Sequence, residues 1–193
     1  MGIRAHIVVL TDGARSHLGS LEWPTRRLVA RRAVEVRRAL ARLGVGRGSV
    51  TFLDNPDGAL LFRPDLRERA AQRLIHLATR LRAKRLFVTW RHDPHPDHVA
   101  ASLVAERVVA RLRRLKLVHF PIWGRFLPSE AMLNDRGWRA RRLDVRAYIG
   151  VKRQAIAAYR TQTTSLISDA PVAHRLSFNE WKAFLGPYET YFF

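Results

Sequence analysis

The stretch Trp90-Arg91-His92-Asp93-Pro94-His95-Pro96-Asp97-His98 is the most informative part of this sequence. It follows an apolar run at residues 86–89 and precedes a helical pattern that begins at Val99. The order predicts a strand, a tight polar loop and the start of a helix. Open α/β sheets place their ligands at the carboxyl ends of strands, so this loop is a candidate functional site.

The loop combines three imidazoles, two carboxylates and two prolines that stiffen the backbone. Such a set is typical of metal binding or acid–base chemistry. His95 and His98 lie three residues apart across a predicted helix start, so both rings can face one crevice. Asp97 can cap the helix or orient a ring as a supporting carboxylate. The alternative is a polar loop in which Asp97 only caps the helix.

The length and composition of the chain predict a single domain over residues 1–193 with a substantial core. The chain has no cysteine, so disulfides and thiolate metal sites are excluded and any metal would bind His, Asp, Glu or water. The sequence shows no signal-peptide pattern and no apolar run long enough to span a bilayer. We therefore expect a cytoplasmic protein without a membrane partner, and a homo-oligomer remains open.

The formal net charge of +19 raises the alternative of a basic nucleic-acid-binding protein. The arginines are spread over every predicted helix and lysine is rare, which favours a GC-rich coding background as the cause. No nucleic-acid-binding motif is present in the sequence. Nucleic acid is therefore the least favoured of the partners considered.

Apolar runs alternate with helical patterns along most of the chain. This order predicts a Rossmann-like α/β fold, with a doubly wound, mainly parallel sheet and helices on both faces. The predicted strands are residues 5–10, 50–53, 86–89 and 117–123, and the predicted helices are residues 24–43, 64–81 and 99–112. Residues 124–139 are predicted to be irregular, 141–149 an edge strand, 151–163 and 178–185 helices, and the aromatic residues 188–193 packing residues rather than a sugar platform.

Polar residues at other predicted strand ends are candidates for substrate contact. His17 lies in the loop after the first strand and is a candidate ligand, although a lone loop histidine is more often solvated. Arg32 and Glu35 lie near the start of the first helix, and a solvated ion pair would explain them equally well. Asp57 follows the second strand, and a role in the turn alone would also explain it.

Six ordered elements resemble the LmbE-like, or PIG-L, deacetylases. His-Pro-Asp-His is the most specific element, and the others gain weight from their order. They are residues 10–13 (Leu-Thr-Asp-Gly), Arg32 with Glu35, residues 56–58 (Pro-Asp-Gly), residues 95–98 (His-Pro-Asp-His) with Ala100, residues 120–123 (Phe-Pro-Ile-Trp), and residues 152–162 with Lys152, Tyr159 and Gln162.

The resemblance implies a zinc-dependent hydrolase that removes acyl groups from N-acylated amino sugars and related glycosyl compounds. By this resemblance, His98 is a zinc ligand and His95 polarises the amide carbonyl or stabilises the oxyanion. By the same resemblance, Asp97 orients His95, and Arg32 and Asp57 contact the small-molecule substrate.

The sequence lacks the family's opening strand and its Ala-His-Pro-Asp-Asp-Glu motif. That motif supplies two further zinc ligands and the general base of the family, so we expect the form as written to be inactive. Two explanations are open: a translation start upstream of Met1, or a truncated relative that serves as a catalytically dead sugar-binding or scaffold module. We favour the first, because a central strand is costly to remove.

Overall fold

The computed structural model describes residues 4–128 and 137–193. The chain forms two compact units, and each unit is built from two stretches of sequence. The first unit contains Met1–Asp57 and Asp144–Pro187, and the second contains Gly58–Leu143 and Tyr188–Phe193. The assignment of residues 1–193 to one domain stays a prediction.

Helices and strands alternate through most of the described chain. The strands are β1 (Ile7–Thr11), β2 (His17–Leu18), β3 (Val50–Asn55), β4 (Arg85–Thr89), β5 (Lys116–Phe120), β6 (Ala140–Asp144), β7 (Val172–Ala173) and β8 (Tyr188–Phe192). The α-helices are α1 (Thr25–Arg42), α2 (Pro64–Arg80), α3 (Pro96–Arg111), α4 (Ile149–Ala157), α5 (Arg160–Thr163) and α6 (Phe178–Phe184), and short 3₁₀ turns cover Ala14–Ser16, Arg47–Ser49, Leu60–Phe62, Trp123–Phe126 and Arg146–Tyr148.

The first unit is built on a parallel β–α–β arrangement. Strands β1 and β3 pair in parallel, with Ile7 opposite Val50, and α1 connects them. Helix α1 ends before Gly44, whose positive φ of 74° is the left-handed conformation that the sequence predicts for this cap. Helix α4 packs against α1. The buried apolar residues of this unit are Leu28, Ala39, Leu53, Ala155 and Ile167.

The second unit contains a four-stranded sheet with the order β4-β5-β8-β6. Strands β4 and β5 pair in parallel, and α3 connects them and packs on both. Helix α2 packs against α3. The core of this unit includes Leu74, Leu77, Val88, Trp90, Val104, Val108, Val118 and Phe192.

The Rossmann-like α/β class predicted from the sequence is confirmed by these two parallel β–α–β arrangements. The parallel strands do not form one continuous hydrogen-bonded sheet within residues 4–128 and 137–193. In this part of the chain no strand pairs with the second edge of β1 or with the second edge of β4. Each unit therefore carries its own parallel pair.

Several predicted boundaries are corrected. The predicted strand 117–123 ends at Phe120, because Pro121 has no amide hydrogen for a sheet and Trp123 begins a 3₁₀ turn. Helix α3 begins at Pro96 rather than Val99, since proline suits the first helical position. The predicted helix 151–163 is two helices, which Tyr159 separates with non-helical angles.

Strand β8 was not predicted. It pairs antiparallel with β5, with Phe192 opposite His119, and Phe192 is buried. The ring of Phe192 lies 5.3 Å from that of Trp90, so the packing role predicted for the terminal aromatic residues is confirmed for this residue. Of the region predicted to be irregular, residues 129–136 lie outside the described residues.

None of the helices in residues 4–128 and 137–193 has both the length and the apolar character that crossing a bilayer requires.

Candidate active site

The segment of residues 90–98, here called the histidine loop, follows β4 in the second unit and includes the first residues of α3. The main chain fixes its start, because the amide of Trp90 donates to the carbonyl of Phe120 at 2.8 Å and the amide of Asp93 donates to the carbonyl of Trp90 at 3.1 Å. The loop is thus tied to the end of β5 as well as to β4. His95, Asp97 and His98, which the sequence predicts as site residues, all lie in this region.

Asp93 is the buried centre of the histidine loop, with only 1% of its surface exposed. One carboxylate oxygen, Oδ1, accepts the Nδ1–H of His98 at 2.8 Å. The other oxygen, Oδ2, accepts three main-chain amides, from Ile122, Trp123 and Gly124, at 2.8, 2.8 and 3.1 Å. A buried carboxylate with this many donors is well satisfied.

The donors also set the charge of Asp93. Burial acts to raise the pKa of the carboxyl, but the hydrogen bonds from His98 and from the amides of Gly124 and Ile122 outweigh it, so the net pKa lies below its ordinary value. Asp93 is therefore a carboxylate at neutral pH. Because Nδ1 of His98 donates to this carboxylate, Nε2 is the nitrogen that carries the lone pair in the neutral imidazole, which is how a carboxylate orients a histidine toward a metal.

His95 has the opposite tautomer. It caps α3 with its side chain, because Nδ1 accepts the main-chain amide of Asp97 at 3.2 Å. Its proton therefore lies on Nε2, which makes this nitrogen a hydrogen-bond donor. The rings of His95 and His98 have centroids 4.6 Å apart. The loop thus brings together one imidazole prepared as a lone-pair donor and one prepared as a hydrogen-bond donor.

Asp97 lies in the first turn of α3 with 8% of its surface exposed. Its Oδ2 accepts the amide of Gly58 at 3.0 Å, which ties the segment before α2 to the histidine loop. The contact with His95 that the structure describes runs through the amide of Asp97. The predicted role of the Asp97 carboxylate in orienting His95 stays a prediction.

Arg32 and Asp57, the predicted substrate-contacting residues, lie in the first unit. Burial lowers the pKa of Arg32, and the Asp57 carboxylate is the strongest of the nearby charges that oppose this shift. Asp57 is held in place, since its Oδ2 accepts the amide of Arg15 at 2.8 Å and its own amide donates to Asp12 at 3.1 Å. The charge of Asp57 thus acts on the Arg32 guanidinium, and the role of both residues in substrate contact stays a prediction.

Glu35 is buried completely and is not the solvated partner of Arg32 that the sequence allowed. Its Oε1 accepts the Nε–H of Arg31 at 2.9 Å and the amide of Thr161 at 3.1 Å. Its Oε2 accepts the hydroxyl of Thr161 at 2.6 Å. The carboxylate therefore connects α1 to α5 and has a structural role.

The described residues do not complete a metal site. Within residues 4–128 and 137–193, no three histidine, aspartate or glutamate side chains lie close enough together to hold a metal ion. The assignment of His98 as a zinc ligand stays a prediction, and a structural or catalytic zinc site uses three or four protein ligands. The fit of zinc to this part of the chain is therefore incomplete.

Two features of the site were missed by the sequence analysis. Asp93 was counted among the carboxylates of the loop but received no role, although an aspartate five residues before a histidine in a stiff loop is a usable signal. Gly124 gave no signal: a Cβ there would lie 2.9 Å from the ring of Trp90, so glycine allows the close approach that brings its amide to Asp93.

Comparisons with known proteins bear on this site. The PIG-L family model, described as GlcNAc-PI de-N-acetylase, matches residues 1–109, which is more than half of the 193 residues. No protein of curated function matches the chain in sequence.

Solved structures resemble the chain over most of its length. A conserved protein of Thermus thermophilus is 28% identical with a TM-score of 0.59, and the match covers 83% of this chain and 67% of that protein. The N,N'-diacetylchitobiose deacetylase of Pyrococcus horikoshii is 20% identical with a TM-score of 0.65, over 96% of this chain and 66% of that enzyme. The A40926 pseudoaglycone deacetylase Dbv21 is 19% identical with a TM-score of 0.64, over 99% and 85%. The two deacetylases support the fold alone, and this chain spans about two thirds of the length of the first two proteins.

Proposed function

Because the chain belongs to the PIG-L family of GlcNAc-PI de-N-acetylases, we propose that it has a deacetylase-like function directed at N-acylated amino sugars or related glycosyl compounds. Acetate release is expected only from a form that supplies the remaining metal ligands. The observation that carries the proposal is the 2.8 Å hydrogen bond between His98 and the buried Asp93. A buried carboxylate that fixes a histidine tautomer is what a hydrolytic metal site requires, and a simple helix cap does not.

His95 is assigned to the transition state. Attack of water on the acyl carbonyl places negative charge on the carbonyl oxygen, and a positioned N–H donor stabilises that charge. The Nε2–H of His95 is such a donor, because its Nδ1 accepts the amide of Asp97. His95 therefore holds a proton at a stated atom without carrying a positive charge.

Zinc is the metal we propose for this reaction, with His98 as one ligand. Zinc supplies Lewis-acid chemistry to amide hydrolysis when it is fully coordinated. The described residues provide only part of the ligand set that zinc needs. The 193-residue chain alone is expected to release no acetate.

Arg32 and Asp57 are proposed to contact the sugar. The charge of Asp57 acts on the buried Arg32 guanidinium, which supports a polar, charge-balanced contact rather than an apolar one. The chain contains no cysteine, which is compatible with the cytoplasmic location that we propose.

The test compares two forms of the protein: the 193-residue chain and a form extended upstream in the same reading frame. Acetate release from N-acetylglucosaminyl substrates is measured with added zinc and with a chelator. We expect zinc-dependent release from the extended form only, and loss of bound zinc in its His98→Ala variant. An extended form that holds zinc but releases no acetate would contradict the proposal.

A catalytically inactive sugar-binding module is the second candidate. The absence of a three-ligand group from the described residues favours it. Glycoside binding by both forms, with neither zinc binding nor acetate release, would select this candidate over the hydrolase.

A further inference from the structure

Three successive main-chain amides of the second unit donate to one atom, the Oδ2 oxygen of the buried Asp93. They belong to residues 122–124, in the turn that follows β5, and residues 121–124 are here called the amide turn. Through its other oxygen Asp93 accepts the Nδ1–H of His98. The orientation of the peptide units in the amide turn therefore bears directly on the tautomer of His98.

Arg125 binds the opposite side of the same peptide units. Its Nε–H donates to the carbonyl of Ile122 at 3.1 Å, and its Nη2 group donates to the carbonyl of Pro121 at 3.3 Å. The carbonyl of Pro121 shares a planar peptide unit with the amide of Ile122, and the carbonyl of Ile122 shares one with the amide of Trp123. In a trans peptide the C=O and N–H point in opposite directions, so a donor fixed on each oxygen also fixes the direction of each amide.

Glu189, in β8, is the counter-charge of Arg125. Its Oε2 lies 3.6 Å from Nη2 of the arginine, and only 21% and 18% of the two side-chain surfaces are exposed. Strand β8 pairs with β5, so Glu189 comes from the same sheet as the strand that leads into the amide turn. Burial lowers the pKa of Arg125, and the charges of Glu189 and then Asp93 oppose that shift. The guanidinium is therefore under the influence of both carboxylates.

Arg67 provides a comparison, because it makes the same kind of contact elsewhere in the second unit. Its Nη1 group donates to the consecutive carbonyls of Leu60 and Leu61, in the 3₁₀ turn before α2. The hydrogen bonds described for that turn do not reach Asp93 or His98. An arginine that only braces a turn is thus available as a control for one that acts on the site.

We propose that Arg125 is a positioning residue of the site. By holding two carbonyls of the amide turn, it keeps the amides of the same peptide units on Asp93, and Asp93 in turn keeps the proton of His98 on Nδ1. The inference rests on the proposed function for the use that is made of His98. It adds Arg125 and its counter-charge Glu189 to the site, and neither residue lies in the histidine loop.

The test uses the 193-residue chain, uniformly labelled with ¹⁵N, and needs no metal. NMR at about pH 8, where an ordinary imidazole is neutral, reports which ring nitrogen of His98 carries the proton. The same spectra give the amide proton shifts of Ile122, Trp123 and Gly124. In the unaltered chain we expect the His98 proton on Nδ1 and three amide protons shifted downfield by their bonds to the carboxylate.

Three variants separate positioning from general support of the fold. Arg125→Met keeps the length of the side chain but removes its donors, so the three amides should lose their downfield shifts. The ratio of the Nδ1–H to the Nε2–H tautomer of His98 should fall by about tenfold, the usual effect of one lost hydrogen bond. Arg125→Lys retains the charge but not the fork that reaches two carbonyls, so it should recover only part of this change. Arg67→Met, the matched control, should leave both signals unchanged.

An unchanged His98 tautomer in Arg125→Met would overturn the inference, and so would an equal change in Arg67→Met, because general loosening would then explain both. If Arg125→Met does not fold, Glu189→Gln decides, since it keeps the size of the side chain and removes its charge. The amides of the turn should then shift in the same direction by a smaller amount, and no shift would overturn the inference.

The extended form separates this inference from the proposed function. Zinc-dependent acetate release, together with an unchanged His98 tautomer in Arg125→Met, would refute this inference only. Absence of zinc binding and of acetate release, together with a changed tautomer in Arg125→Met, would refute the proposed function only.

Discussion

Asp93 controls the tautomer of His98, so its charge should matter more than its shape. In Asp93→Asn, the three amides of Ile122, Trp123 and Gly124 still need the oxygen, which turns the new NH₂ group toward His98. We expect the proton of His98 to move from Nδ1 to Nε2, and the zinc affinity of the extended form to fall by about ten- to a hundredfold. Imidazole ¹⁵N shifts report the tautomer without any metal.

Asp169→Asn is the matched control for this substitution. Asp169 also accepts two main-chain amides and one side chain, those of Leu21, Glu22 and Ser20, but no histidine. The Asp169→Asn substitution should leave the imidazole ¹⁵N signals of His98 unchanged. An unchanged His98 tautomer in Asp93→Asn would remove the role given to Asp93.

His95 has two separable roles, which two substitutions distinguish. His95→Ala removes the cap of α3 and should lower the free energy of unfolding by about 1 kcal/mol. His95→Asn retains a good cap and should have nearly unchanged stability. Both remove the Nε2–H donor, so in the extended form both should lower turnover by about a hundredfold. Chemical denaturation and acetate release are the measurements, and near-normal turnover in His95→Asn would exclude the oxyanion role.

At the scale of elements, the turn after β1 depends on Gly13. Its φ of 69° is left-handed, and a Cβ there would lie 2.4 Å from Nε of Arg32. Gly13→Ala should therefore lower the free energy of unfolding by more than backbone strain alone would. It should also weaken glycoside binding, because Arg32 must move. Thermal unfolding and a titration with methyl N-acetyl-β-glucosaminide are the measurements.

Gly44 provides the comparison, since its φ of 74° is similar and no atom lies within 4 Å of the Cβ position. Gly44→Ala should lower the free energy of unfolding by about 1 kcal/mol and leave glycoside binding unchanged. Equal losses of stability in the two variants would show that Arg32 is not held against the turn.

The buried carboxylate of Glu35 connects two helices, and its removal should be severe. Glu35→Ala leaves Thr161 and Arg31 without their acceptor. It should lower the free energy of unfolding by about 3 kcal/mol or more, as the removal of one partner from a buried pair typically does. Glu68→Ala, which removes the exposed partner of Arg107, should change stability by less than about 1 kcal/mol. Urea denaturation compares them, and a similar small loss in both would contradict the structural role of Glu35.

The elements that the sequence predicted well are those with a local signal. The stripe of α2 after Pro64 and the left-handed Gly44 cap depend on neighbouring residues only. Strand β8 was missed because its partner β5 lies far away in sequence. In the sequence alone, Phe192 cannot be distinguished from the other aromatic residues near the end of the chain. The same limit applies to the site: the positions of His95 and His98 follow from spacing, whereas the amide of Gly124 reaches Asp93 only through the folded chain.

At the scale of the whole molecule, two buried histidines should make stability depend on pH. His17 in the first unit and His119 in the second each have a pKa below the value of about 6.5 for a free imidazole, chiefly because of burial. In the window below 6.5 the unfolded chain binds more protons than the folded chain, so acid favours unfolding. The free energy of unfolding should therefore fall as the pH decreases from about 7 to 5.

Urea denaturation at pH 7.5 and at pH 5.5 measures this loss. A variant that combines His17→Asn and His119→Asn should lose less stability between the two values than the unaltered chain. An equal loss in both would assign the pH dependence to other groups.

The interleaved composition of the two units has a consequence for synthesis on the ribosome. Glu35 is synthesised before its partner Thr161, which belongs to the same unit and lies 126 residues later in the chain. At a translation rate of about 5–20 residues per second, this delay is roughly 6–25 s. During that interval the charged side chain of Glu35, which the finished protein buries, must stay hydrated. Helix α1 therefore cannot acquire its final packing before Thr161 has been synthesised. Codon choice and chaperone access between the two residues should therefore influence the yield of folded protein more than they would for a unit encoded in one continuous stretch.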